Sequence, residues 1–141
     1  MEVSKRKKTE FDNIFKQIGP SDIFINIQLF RNLFDSDFYD NFLYHVDNKI
    51  KKMLETTDVI ILYSDIKSML IQDTYYYDKI MGFAKVLHKY TLNITKIIIY
   101  NNSSVFENII KLICLTLGTN INDKIYFSDK LLLEEYNLSD H

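Results

Sequence analysis

Few residues in this chain are equipped for chemistry. Asp65 comes first. It follows the apolar run Val59–Tyr63 (VIILY) and Ser64. If that run is a buried strand, Ser64 and Asp65 stand at its C-terminal end, where open α/β sheets bind ligands. The competing role is a turn residue that caps local backbone, which aspartate does readily. Cys114 is the single cysteine and stands inside IIKLICLTL. No polar neighbour there favours a thiolate, so it reads as inert packing in a reducing compartment. His45, His88 and His141 do not cluster, and no metal-ligand spacing surrounds His45. Three glycines are too few for a phosphate loop, and none separates a strand from a helix in the required pattern. No G-x-S-x-G elbow occurs. These residues point to a binder rather than an enzyme, with no cofactor and no metal.

A length of 141 residues sets one domain with room for one core. The net charge of −2 argues against nucleic acid as a partner. No stretch reaches the roughly 18 apolar residues of a membrane span, and the N-terminus shows no signal-type apolar run. The expectation is a cytoplasmic protein, soluble or peripheral to a membrane.

The chain is organised around Thr95–Gly118. Lys96–Tyr100 is β-branched and aromatic on both faces, which predicts a central strand covered on both sides. Asn101, Asn102 and Ser103 make a polar turn. Ser104 and Glu107 have capping-box spacing, so a helix is expected over Val105–Leu117, with Gly118 ending it. Val105, Ile109, Leu112, Ile113 and Thr116 form one stripe of that helix. Phe106, Ile110, Cys114 and Leu117 form a second. A helix apolar on more than one face is buried or covers something apolar.

Upstream, residues 1–8 read as a flexible terminus, with Lys5, Arg6, Lys7 and Lys8 consecutive. Next to an anionic membrane such residues contribute ~1 kcal/mol each. Residues 9–141 read as the domain. Thr9–Ile18 is expected as a helix capped by Thr9 and Asp12 and ended by Gly19–Pro20. Ile23–Phe30 alternates like an outer strand with one wet face. A helix follows over about Asp37–Leu54, capped by Asp35 or Ser36, and another, capped by Asp73 or Thr74, reaches Lys89. Of the tyrosines Tyr75–Tyr77, one is expected in the core and two at the rim. A short strand over Lys124–Phe127 and a final amphipathic Leu131–Tyr136 complete the chain. The alternation predicts an α/β domain with a mostly parallel sheet of four or five strands flanked by helices.

The segment IIIYNNSSVFENIIKLICLTLGTNINDKIYF resembles the signature of the CRAL-TRIO lipid-binding domain, the lobe of phosphatidylinositol-transfer proteins. In that family a strand leads into an N-A-P turn, a phenylalanine, an apolar gate helix and a T-x-x-K-I-x-F strand. Asn101 matches the turn asparagine, with Asn102 and Ser103 in place of Ala and Pro. Phe106 matches the phenylalanine, and Lys124, Ile125 and Phe127 match the strand. VIILYSDIKSM is similar to the family's hydrophobic strand and D-x-x-G, with Asp65 at the acid and Ser68 at the glycine. The likeness covers roughly residues 20–136, without the family's N-terminal helical lobe.

The resemblance implies a CRAL-TRIO-like lobe with a lipid cavity between sheet and gate helix, closed by Val105, Phe106, Ile109, Ile110, Ile113 and Leu117. It implies a non-enzymatic module that binds or transfers a phospholipid, phosphoinositide being the candidate, at a membrane surface. Lys124 matches the family's headgroup lysine, and Lys96 and Asp65 are further headgroup candidates. The basic run Lys5–Lys8 would meet phosphates. Leu92 stands where the family carries an acid, and Thr91 where it carries a proline. The alternative on the same scaffold is a protein-interaction or dimerisation module of the kind that regulates small GTPases, with Val105–Leu117 as the interface. A third reading makes that helix plain core under Leu131–Leu133.

Overall fold

The computed structural model describes residues 4–67, 71–117 and 120–128. Its elements run α1 (Lys5–Ile14), β1 (Phe15–Gln17), β2 (Asp22–Ile25), α2 (Ile27–Arg31), α3 (Tyr39–Met53), β3 (Ile60–Asp65), α4 (Tyr77–His88), β4 (Ile94–Tyr100), α5 (Ser104–Leu117) and β5 (Ile125–Ser128). Short 3-10 segments at Ile71–Tyr76 and Asn120–Lys124 precede α4 and β5. The Leu131–Tyr136 element expected from the sequence, Gly118 and Ser68 lie outside the described residues.

The sheet has five strands in the order β1-β2-β3-β4-β5. β1 is antiparallel to β2; the other three pairings are parallel. The expected α/β class and mostly parallel sheet are therefore present. Strand order follows chain order, and right-handed crossovers between successive neighbours deliver every helix to the same side. The packing agrees. Helix residues Phe42, Val46, Ile50, Phe83 and Leu87 pack with Ile23, Ile25, Ile60 and Leu62 of the sheet. Phe106, Ile109 and Ile110 of α5 meet Ile97, Ile99 and Ile125 on that same side. On the other side Phe24, Tyr63 and Tyr100 pack with Ile18, Ile61 and Ile98, and no helix residue joins them. The central strand was expected to be covered on both sides; among the described residues, helices cover one.

Several boundaries differ from those expected. The basic run is not a tail: Ser4 accepts a hydrogen bond from the Lys7 N–H and starts α1, so Lys5, Arg6, Lys7 and Lys8 are its first residues. Lys7 pairs with Glu10 and lies over the Phe38 ring. Thr9 and Asp12 are mid-helix. Asp12 instead accepts from His45 at 2.9 Å and Lys49 at 2.6 Å, tying α1 to α3. The helix ends at Ile14, and Phe15–Gln17 turns into the hairpin strand β1. The expected strand Ile23–Phe30 stops at Ile25, because Asn26 caps α2 through the Leu29 N–H. Its wet face is absent: Ile23, Phe24 and Ile25 are all buried. Asp73 pairs with Arg31 at 2.8 Å, and α4 begins at Tyr77 with no side-chain cap at Tyr76. Of the three tyrosines, Tyr75 is exposed and Tyr76 packs against the core while donating to Asp35. α5 is capped by Ser103, whose Oγ accepts from the Phe106 N–H, one residue ahead of the expected Ser104.

α3 and α4 meet closely. The Tyr39 hydroxyl donates to the Lys79 carbonyl. A Cβ on Gly82 would lie 2.6 Å from the Tyr39 oxygen, so a larger residue fits there only if the Tyr39 side chain shifts.

Candidate functional site

Between the sheet and α5 lies an apolar cavity of about 170 Å³. Ile25, Leu62, Ser64, Ile97 and Ile99 form its floor. They share a face because strand residues alternate, and the register places Ile25, Ser64 and Ile99 in one row across three strands. Phe106, Ile109, Ile110, Ile113, Cys114 and Leu117 of α5 form the roof. These are six of the residues read from the sequence as two apolar stripes. Both stripes reach the cavity because it lies between α5 and two neighbours, the sheet and α4. Ile80, Phe83, Ala84 and Leu87 of α4 close the side. The side chain of Val105 lies outside those described.

The cavity carries almost no electrostatics. Among the described residues no charged side chain lines it, and its surface is almost wholly apolar although Ser64 and Cys114 are among the lining residues. Burial pushes the Cys114 thiol above its ordinary pKa, so it stays protonated at neutral pH. Ser64 is 6% exposed and donates to the Ile25 carbonyl at 3.4 Å. An apolar cavity of about 150 Å³ in another protein stays dry and admits benzene. The space beneath α5 has that capacity. It falls short of the roughly 300 Å³ at which drug-sized ligand pockets begin.

No protein-family model matches this chain, and the searches of curated proteins and of solved structures found no match either.

The three headgroup candidates occupy three different places. Lys96 lies on the sheet face away from the cavity, its ammonium 5.9 Å from the centre of the Tyr126 ring. Lys124 precedes β5 and donates to the Thr91 carbonyl, at the end of the sheet where β4 begins. Asp65 ends β3 opposite Tyr100, whereas Lys96 is opposite Ile61. Four strand residues separate those positions, about 13 Å. Asp65 accepts from the Lys67 N–H and the Asn101 side chain, both at 2.9 Å. It thus performs the backbone-capping role that competed with ligand binding. Asn101 has φ 58°, a left-handed conformation that asparagine tolerates. Lys5–Lys8 lie on α1, at the β1 end of the sheet, remote from α5 in strand order.

The outer side of α5 is mixed: two leucines stand exposed among Asn108, Lys111 and Thr116, with Lys111 paired to Glu107. Leu112 is 51% exposed and Leu115 78%. Tyr126 and Phe127 of β5 are also exposed, Tyr126 on the sheet face away from α5. Among the described residues no three His, Cys, Asp or Glu side chains gather as metal ligands, and no helix is long and apolar enough to cross a membrane.

Sequence reasoning passed over Ser64 as a site residue because it seemed to follow the strand. Its signal was the period-two row Ile60, Leu62, Ser64, Ile66, in which one polar residue interrupts an apolar face.

Proposed function

We propose that this chain is a non-enzymatic lipid-binding module of CRAL-TRIO type that holds an apolar ligand beneath α5. The observation that carries the reading is the uncharged cavity of about 170 Å³ between α5, α4 and the sheet. The space is partly open rather than an enclosed void, and apolar surface left uncovered in this way marks ligand grooves. Its size favours one ring or a short stretch of a single acyl chain. A phospholipid, phosphoinositide included, would leave its headgroup outside, since an unpaired buried phosphate is strongly unfavourable. Holding both chains would require α5 to move away from the sheet.

Exposed Leu112 and Leu115 support a second reading, in which α5 is a contact surface for a membrane or for a protein, a second copy included. The two readings are compatible, because the inner and outer sides of α5 are different residues.

Native mass spectrometry of the purified chain, with lipid extraction of the same sample, tests the proposal. A co-purified single-chain lipid, or a saturable mass step on adding one, is the expected result. An apo mass under all lipid additions, with a dimer peak, favours the contact-surface reading.

A further inference from the structure

The sheet face turned away from the helices is better shielded than the described elements explain. Phe24, Tyr63 and Tyr100 stand on it, from β2, β3 and β4, and are 6%, 5% and 3% exposed. Side chains stand roughly perpendicular to a sheet, so large rings on a bare face keep their outer edges in water. Among the described residues, the apolar side chains packed against the three rings are Ile18, Ile61 and Ile98. These belong to the strands or to the turn between β1 and β2, not to a layer above them. The outer side of α5 shows the opposite: Leu112 and Leu115 there are 51% and 78% exposed.

We infer that residues 129–141 of this chain dock on that face and form a second layer over Phe24, Tyr63 and Tyr100. Length and position favour them over 1–3, 68–70 and 118–119, which are two or three residues each. β5 ends at Ser128, opposite Tyr100, the most buried of the three rings. The segment therefore starts beside the surface it covers. Three strand spacings of ~4.8 Å, about 14 Å, separate β5 from β2, and about ten helical residues span ~15 Å. Its sequence DKLLLEEYNLSDH suits an apolar seat: Leu132, Leu133 and Tyr136 share a stripe at helical spacing, with Glu134 and Glu135 off it. Charge agrees. The segment carries Asp129, Glu134, Glu135 and Asp140 against Lys130. Lys16, opposite Phe24, and Lys96, opposite Ile61, bring cations to the face. The acids of the face are engaged within it: Asp22 accepts from the Tyr63 hydroxyl, and Asp65 from the Asn101 side chain. Tyr126 on the edge strand stays 50% exposed, which seats the layer over β2–β4. The outer side of α5 is then left for other contacts.

Through-space NMR contacts in the full chain test this, recorded on labelled chain alone and on a mixture of labelled and unlabelled chain. Contacts between leucine methyls of residues 131–138 and the rings of Tyr63 or Tyr100, arising within one chain, are the expected result. Contacts of those leucines with Leu112 or Leu115 instead would overturn the inference, as would none to the rings. Ring contacts that arise only between labelled and unlabelled chains would also overturn it and make the face an interface between copies. Leu132→Ser combined with Leu133→Ser should raise the relaxation of the Tyr63 and Tyr100 ring signals by a soluble paramagnetic probe at least twofold. Leu115→Glu should leave it unchanged. Unchanged ring relaxation in the folded double variant would contradict the docking. The contacts in the unaltered chain decide the matter even where the double variant unfolds.

Discussion

Lys96 and Ile97 are adjacent in sequence and lie on opposite sides of the sheet: the Lys96 ammonium sits near the Tyr126 ring, while Ile97 forms part of the cavity floor. The sheet itself thus separates the nearest basic residue of β4 from the apolar space. A lipid phosphate held at Lys96 could not belong to a chain that enters beneath α5 by the shortest path. Lys96→Ala should therefore leave the affinity of benzene or a short alcohol within twofold in a calorimetric titration. A tenfold loss would mean that the cation and the cavity act together.

Filling the cavity should separate ligand binding from folding. Ala84 on α4 borders the space. Ala84→Leu places a larger side chain there without lowering helix propensity much. Cavity filling of this kind commonly adds about 0.5–2 kcal/mol of stability. The expected outcome is a higher Tm and at least a tenfold loss of benzene affinity. Higher stability with unchanged affinity would place the ligand elsewhere.

The two sides of α5 answer to different substitutions. Phe106 is buried at 6%, so Phe106→Asp leaves an unpaired charge in the core and should unfold the chain rather than report on a surface. Leu115, at 78%, is the surface probe. Leu115→Glu should change stability by no more than about 0.5 kcal/mol. If the outer side of α5 contacts a membrane or a second copy, that substitution should abolish vesicle co-sedimentation or lower the mass seen by light scattering. Benzene binding should survive it. A large drop in Tm would mean that Leu115 is packed.

An acid-sensitive tie between α3 and the end of α4 is centred on Asp47. Burial alone would raise its pKa, but hydrogen bonds from Lys89, Tyr90 and Lys51 outweigh that and hold it at about 2, below the ordinary 3.8. A folded pKa below the unfolded one means that the stabilisation is full above pH 4 and is lost as pH falls towards 2. The shift corresponds to about 1–2 kcal/mol once the exposure of Lys51 and Lys89 is allowed for. Asp47→Asn should lower stability by about that amount at pH 7 and flatten the fall between pH 4 and 2, measured by urea unfolding. An unchanged acid limb would contradict the assignment.

Close packing also accounts for a glycine inside a helix. Gly82→Ala improves helix propensity by about 1 kcal/mol. The Tyr39 oxygen, 2.6 Å from the new methyl position, should reverse the sign. The substitution is expected to lower Tm, whereas Gly82→Ala combined with Tyr39→Phe should recover part of the loss. A rise in Tm for the single change would show that Tyr39 yields freely.

How far the sequence speaks varies along the chain. β4 and α5 were legible because their patterns are strong: a β-branched run, then a helix with two apolar stripes. The start of α1 was not, because consecutive lysines look like a tail until Ser4 is seen to cap them. β1 was hidden because Phe11, Ile14, Phe15 and Ile18 keep helical spacing through Ile18, and only pairing with β2 ends the helix at Ile14. The one-sided helix layer could not be read at all. Alternating helices and strands imply parallel pairing, but strand order arises from which edges meet in space. The roof of the cavity was legible as α5. Its floor needed the register that aligns Ser64 with Ile25 and Ile99.

The most direct test of the central claim is a benzene titration of the isotope-labelled chain followed by amide and methyl NMR, repeated on Ala84→Leu. Saturable shifts clustered at Ile66, Ile99, Phe106 and Ile113, lost in the variant, are the predicted result. No saturable shift at those residues, or the same shifts in the filled variant, would contradict a ligand cavity beneath α5.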